Sequence, residues 1–221
     1  MSSQPLDWLG QLLATDALLL PAPWLMRAWM CLGWGIVTAW LGVAVAKRST
    51  PHKPVHRGVA LALGAWAWLP GPFSSAYWLG LAFQMPSATA VLLCALLLRK
   101  PVSISGGHAP VGGAATVQVG LGLLVGWALA LDTFALLPIQ LYAWGFSAAA
   151  VGFAMLVSLL PWVLRQGKSS ADARLWIVPA AVGVFVALHL PSGNLWDALL
   201  DPLLWLALHI HLVQSKRRSL P

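Results

Sequence analysis

Long apolar runs fill most of this chain, and short stretches carrying charge, proline or glycine separate them. A helix needs about 20 apolar residues to cross about 30 Å of hydrocarbon. Seven runs approach that length, at 24–46, 56–69, 74–98, 116–137, 140–164, 175–190 and 195–214, the second and sixth being short. The pattern predicts an all-α fold, a polytopic membrane helix bundle of about seven spans forming one membrane domain over 1–221, with the bundle itself at 24–214.

Basic residues collect in cytoplasmic loops, and their placement tests this division. Lys47, Arg48, Lys53, Arg57, Arg99, Lys100, Arg165, Lys168, Arg174, Lys216, Arg217 and Arg218 all fall on one side, and only Arg27 falls on the other. Asp7, Asp16, Asp132, Asp197 and Asp201 share the side of Arg27, whereas Asp172 lies with the basic residues. The alternation predicts an outer N-terminus and a cytoplasmic C-terminus. A bacterial inner membrane is the expected location.

Ahead of the first span, residues 5–20 place Asp7, Gln11 and Thr15 four apart, with leucines elsewhere. That spacing predicts an amphipathic segment on the outer interface, ended by Pro21 and Pro23. The first residues carry acid where a secretory signal would carry basic charge, so the segment is expected to belong to the mature protein. Residues 102–115 form a Gly-rich stretch without the Gly-Lys-Ser/Thr ending of a phosphate-binding loop, and a cytoplasmic linker is expected there. Leu69-Pro70-Gly71-Pro72, Leu137-Pro138 and Leu190-Pro191-Ser192-Gly193 end three hairpins alike, which suggests a faint repeat of helix pairs or simply turn chemistry. Gly122 with Gly126, and Ala148 with Gly152, are small-residue pairs expected to serve packing inside the bundle ahead of dimerisation. Trp24, Trp66, Trp68, Trp78 and Trp196 stand near span ends, where indoles anchor at the membrane surface.

Composition supports the same class. The chain is 59% hydrophobic and 9% charged, against about 25% charged residues in soluble domains. The net charge of +7 would suggest nucleic acid if clustered on a soluble surface. Spread between apolar runs it records topology, and no nucleic-acid partner is expected. Cys31 and Cys94 fall toward opposite faces of the bilayer, which disfavours a disulfide. With neither a CxxC nor an HExxH, no zinc motif is present.

Few polar residues lie at depth. Gln84 is placed mid-span, two residues before Pro86, whose missing N–H frees a carbonyl one turn earlier. It is expected either to bond a neighbouring helix or to contact a solute at a broken helix. The outer side gathers His189, Asp132, Asp197, Asp201 and Arg27. On a continuous helix Asp197 and Asp201 share one face, and Arg27 would pair with them or reach lipid phosphate.

Gly193-x-x-x-Asp197-x-x-x-Asp201 resembles the second half of the metal motif of CDP-alcohol phosphotransferases. That resemblance implies a divalent-ion site using Asp197 and Asp201, but the first half of the motif is absent from the chain. Gly145-Phe146-Ser147-Ala148, together with His189, is similar to the dyad of rhomboid proteases, which implies Ser147 as nucleophile and His189 as base. The upstream His and Asn of that family have no counterpart. Two histidines at equal depth would ligate haem iron, and His56 with His209 is the inner-face candidate pair. No cofactor is otherwise expected.

The first functional expectation is an accessory or anchoring subunit held by the lipid bilayer and a membrane protein partner. The alternatives are a small permease for an uncharged or apolar solute, and an intramembrane enzyme or haem-binding subunit using the residues above.

Overall fold

A computed structural model describes residues 19–99, 113–163 and 173–219. The predicted interfacial segment at 5–20 lies outside the described residues apart from its last two, as does the 102–115 linker apart from the start of a helix. All secondary structure among the described residues is helical. The ten α-helices are α1 (Pro23–Ser49), α2 (Lys53–Trp66), α3 (Ser75–Phe83), α4 (Ala88–Arg99), α5 (Gly113–Thr133), α6 (Leu141–Trp144), α7 (Ala148–Val163), α8 (Ile177–Leu188), α9 (Leu195–Leu199) and α10 (Pro202–Ser219). Single 3-10 turns at Gly71–Phe73 and Ala173–Trp176 precede α3 and α8.

Each of the seven apolar runs is helical, but three of them are interrupted. The run at 74–98 divides at Gln84 to Ser87, where Pro86 cannot donate and Gln84 takes φ 62°. The last run divides at Leu200, which is extended, and Asp201 then opens α10 ahead of Pro202. The run at 140–164 is a single turn, α6, followed by α7, whose Ala150 N–H is capped by the Ser147 hydroxyl.

Two helices are long and apolar enough to cross a membrane, Pro23–Ser49 and Thr116–Thr133. Only 33% and 6% of their apolar windows are buried inside the chain, so neither is covered as the core helix of a soluble protein would be. Among the other described helices, α10 has 18 residues but carries Lys216, Arg217 and Arg218 in its last turns, and the rest are shorter.

The core is rich in alanine. Ala88, Ala150, Ala154, Ala181 and Ala198 pack with Trp29, Val91, Val182, Phe185, Leu190 and Leu195. This lets α1, α4, α7, α8 and α9 approach closely, since dispersion falls off steeply with any gap. α1 packs along α2 and against α3 and α4, while α5 packs on α7 and α10.

Gly122 and Gly126 form the α5 side of that last seam. A Cβ on Gly126 would lie 2.2 Å from the Trp205 ring, and one on Gly122 2.8 Å from Leu208. The pair therefore serves packing within the chain. Gly152 has open space where a Cβ would stand, so the second pair, Ala148 with Gly152, makes no such close approach.

At the turn before α9, Gly193 has φ 83° and lies under the residues that precede α1. A Cβ there would meet the Leu19 carbonyl oxygen at 2.8 Å. Trp24 and Trp68 are exposed, as expected of surface anchors, whereas Trp196 is 5% exposed and belongs to the interior. Its indole N–H donates to the Leu141 carbonyl at 2.8 Å.

Candidate functional site

The two divided helices meet at their breaks. Asp201 ends the extended link between α9 and α10, and one oxygen of its carboxylate accepts from the Leu204 N–H at 2.8 Å, capping α10. Its other oxygen accepts from the Ser87 N–H at 2.9 Å and from the Ser87 hydroxyl at 2.6 Å. Ser87 in turn caps α4 by accepting from the Ala90 N–H at 3.1 Å. One carboxylate thus sits at the N-termini of two half-helices, where the dipoles favour negative charge.

Breaking a helix at this position also frees carbonyl oxygens, and α1 supplies their donors. The Trp29 indole donates to the Pro86 carbonyl at 3.1 Å, and the Trp34 indole to the Gln84 carbonyl at 2.9 Å. Between the two indoles, Gly33 makes room for the Pro86 ring, because a Cβ there would lie 2.6 Å from Pro86 Cγ.

Beyond this crossing is an apolar cavity of about 420 Å³, walled by α4, α5, α7, α8, α9 and α10. Thr89, Leu199 and Leu200, beside the breaks, form one end of it. Volume and lining fall within the usual range for small-molecule sites, about 300–1,000 Å³ and mostly apolar.

Several candidates take different roles from those expected. Asp197 and Asp201 do not share a helical face, because the helix stops between them. Asp197 accepts from the Tyr142 hydroxyl at 2.8 Å and from Ser192, while Asp201 goes to Ser87. Among the described residues no group of three or more His, Cys, Asp or Glu could hold a metal ion. Arg27 is exposed and bonds neither aspartate. Asp132 accepts from the Tyr142 N–H at 2.7 Å and fixes the start of α6.

Gln84 stands at the break, but its side chain is exposed and its carbonyl makes the contact with α1. The Ser147 hydroxyl donates to the Trp144 carbonyl at 2.7 Å and accepts from the Ala150 N–H at 3.2 Å. It is a helix cap, with no hydrogen bond to His189. His189 takes a left-handed conformation, φ 56°, at the end of α8, with its ring against Phe185.

His56 bonds the Thr50 carbonyl and His209 the Trp205 carbonyl, both at 2.9 Å. They stand on different helices, α2 packed along α1 and α10 packed on α5, and each ring nitrogen named here is engaged by a carbonyl of its own segment. Cys31 and Cys94 are both free thiols.

Ser87, Trp29, Trp34 and Asn194 were not singled out by the sequence. Asn194 caps α9 through the Trp196 N–H at 2.9 Å and donates to the Tyr142 carbonyl at 2.9 Å. The available signal was the pair of dipeptides Asp201-Pro202 and Pro86-Ser87, which read as helix starts. The chain matches no known family model, no curated protein and no solved structure.

Proposed function

We propose that the chain is a multi-pass bundle of about seven crossings, N-terminus outside and C-terminus in the cytoplasm, and that it works as a small permease for an uncharged or apolar solute. The observation that carries this reading is the apolar cavity lying directly against two helix breaks. Membrane transporters bind their solutes at discontinuous helices, where backbone freed from the helix can rearrange without facing lipid. Thr89, Leu199 and Leu200 join the break to the cavity wall, so movement at the crossing changes the shape of the cavity.

Proteoliposomes containing the full chain test this. Counterflow of a radiolabelled apolar solute should exceed that of empty vesicles and fall when Leu200→Trp fills the cavity. Equal flux in both vesicle types across a panel of uncharged solutes would remove the permease reading.

A second reading, the accessory or anchoring subunit with a membrane protein partner, draws on α5. Its spanning window is 6% buried, and Leu124 and Trp127 are 68% and 54% exposed. Recovery of a stoichiometric partner in mild detergent, lost on Leu124→Lys, would favour that reading.

A further inference from the structure

Asp201 brings a charge to a helix start, where the chain elsewhere uses neutral side chains. α3, α4, α7 and α9 are capped by Ser74, Ser87, Ser147 and Asn194. Serine and asparagine cap a helix about as well as aspartate does. Capping α10 therefore does not by itself call for a carboxylate.

With the seven crossings proposed above, this carboxylate lies deep. α3 runs nine residues from the outer turn to the break, and α4 runs 12 residues from the break to Arg99. At 1.5 Å per residue these are about 13 Å and about 18 Å, which places the tie near the middle of about 30 Å of hydrocarbon. An ionisable group at that depth is costly, and in membrane proteins it marks ion pathways and proton relays.

The contacts of the carboxylate are three donors, the Ser87 N–H and hydroxyl on one oxygen and the Leu204 N–H on the other. Titratable groups on the surrounding elements are engaged elsewhere. Asp197 on α9 is held by Tyr142 and Ser192, Asp132 on α5 by the Tyr142 N–H, and His209 on α10 bonds the Trp205 carbonyl. His189, after α8, lies against Phe185, and Arg27 on α1 is exposed. Cys31 on α1 and Cys94 on α4 are free thiols, and Cys94 is close enough to feel the Asp201 charge. Lys47, Arg48, Arg99, His211 and the basic end of α10 lie farther along their helices, toward the inner side.

An ionised carboxylate only accepts hydrogen bonds, whereas a protonated one also carries a donor. A proton on the oxygen that holds Ser87 competes with both Ser87 donors for its lone pairs and removes the charge that strengthens those bonds. α4 packs on α1, α8 and α9, while α10 packs on α5. Past the tie both helices line the cavity, α4 with Thr89 and Leu93 and α10 with Leu204 and Leu208. Loosening the tie frees these two parts of the wall to separate.

We propose that Asp201 is a proton-binding site, and that a proton bound there opens the cavity between α4 and α10. The step is addition of a proton from water to the ionised carboxylate, giving the neutral acid, and its loss reseals the wall. This rests on the permease reading and names protons as the regulator of the same cavity.

The test takes the full chain in nanodiscs from about pH 8 to about pH 5, the range in which a carboxylate perturbed by its site is read apart from ordinary ones. The infrared difference spectrum should gain a carboxyl C=O band that Asp201→Asn removes and Ser87→Ala shifts. A spectrum unaltered by Asp201→Asn would overturn the site. Should that variant not fold, the Ser87→Ala shift carries the assignment, and bands insensitive to it would overturn the site equally.

Deuterium exchange, corrected for its intrinsic pH dependence, reads the opening. Amides of the first turns of α4, Ala90 to Leu92, should exchange about tenfold faster at the low pH, the factor expected on losing a charge-assisted hydrogen bond. Those of α1 should not change, and Asp201→Asn should remove the pH dependence in α4. A carboxyl band that titrates without any change in α4 would overturn the gate. Counterflow of an uncharged solute, measured at both pH values, separates the two readings. Flux that rises at low pH supports both, and flux independent of pH would overturn the gate and leave the permease. No flux, with band and exchange as expected, would overturn the permease and leave the proton site standing.

Discussion

The carboxylate of Asp201 and the N-cap Ser87 are joined by two hydrogen bonds, to a backbone N–H at 2.9 Å and a hydroxyl at 2.6 Å, across 114 positions of sequence. Asp201→Ala removes the acceptors of both contacts and the cap of α10 together. It should cost about 2–4 kcal/mol, and Ser87→Ala only about 1 kcal/mol because the Ser87 N–H keeps its acceptor. Thermal unfolding in mild detergent measures both. Equal small losses would show that the carboxylate does not hold the two half-helices.

Trp29 and Trp34 supply donors to carbonyls that the break sets free. Trp29→Phe and Trp34→Phe keep an aromatic ring, though a smaller one, but leave the Pro86 or Gln84 carbonyl unpaired. Each should lower stability by about 1–3 kcal/mol. Trp24→Phe, at an exposed indole, should change it by less than about 0.5 kcal/mol. A similar effect at all three positions would mean that the bonds to the Pro86 and Gln84 carbonyls are not what counts.

Glycine substitutions separate close approach from open surface. Gly126→Ala drives a methyl into the Trp205 ring and should destabilise by about 1–3 kcal/mol. Gly152→Ala meets nothing within 4 Å and should be neutral or stabilising by up to about 1 kcal/mol, from helix propensity. Sedimentation of Gly126→Ala should show the oligomeric state of the wild type, since the seam lies within one chain. A change in association state would transfer the glycine pair to a subunit interface.

At Gln84 the conformation and the side chain make different demands. Its φ of 62° suits glycine, so Gln84→Gly should raise the melting temperature by relieving about 1 kcal/mol of strain, and Gln84→Val should lower it. Gln84→Leu should be nearly silent in stability because the side chain is exposed. A marked loss with Gln84→Leu would show that its amide makes a contact beyond the carbonyl bond to Trp34.

Orientation is open to a direct check. A cysteine replacing Leu136, which is 67% exposed, should react with an impermeant reagent from outside. One replacing the exposed His52 should react only after permeabilisation. The reverse result would invert the topology proposed from the charge pattern.

Helical class was legible because hydropathy integrates over a whole run, and all seven runs are helical in the structure. The breaks were only half legible. Pro86 signalled one, but Asp201 and Pro202 interrupt the last run for so few residues that averaging hides them. That single extended step is also why the two aspartates, four apart, do not share a face. The tie from Asp201 to Ser87 could not be read at all, since nothing local to either residue names the other. Nor does sequence distinguish an indole that reaches the membrane surface from one that donates inward, which is how Trp196 was misplaced and Trp29 and Trp34 were passed over.

The residues just before α1 rest on the turn at Gly193, and Ser87 waits for Asp201 from the far end of the chain. A ribosome delivers the first of these groups long before the second. Until the last hairpin is synthesised, the α4 N-terminus lacks its carboxylate and the Leu19 region has no Gly193 turn to lie on. Late closure of this kind makes assembly depend on contacts of high sequence separation, which form slowly. Chains truncated before Asp201 should therefore insert their early helices yet stay open to proteolysis, and full protection should appear only once α10 has left the ribosome.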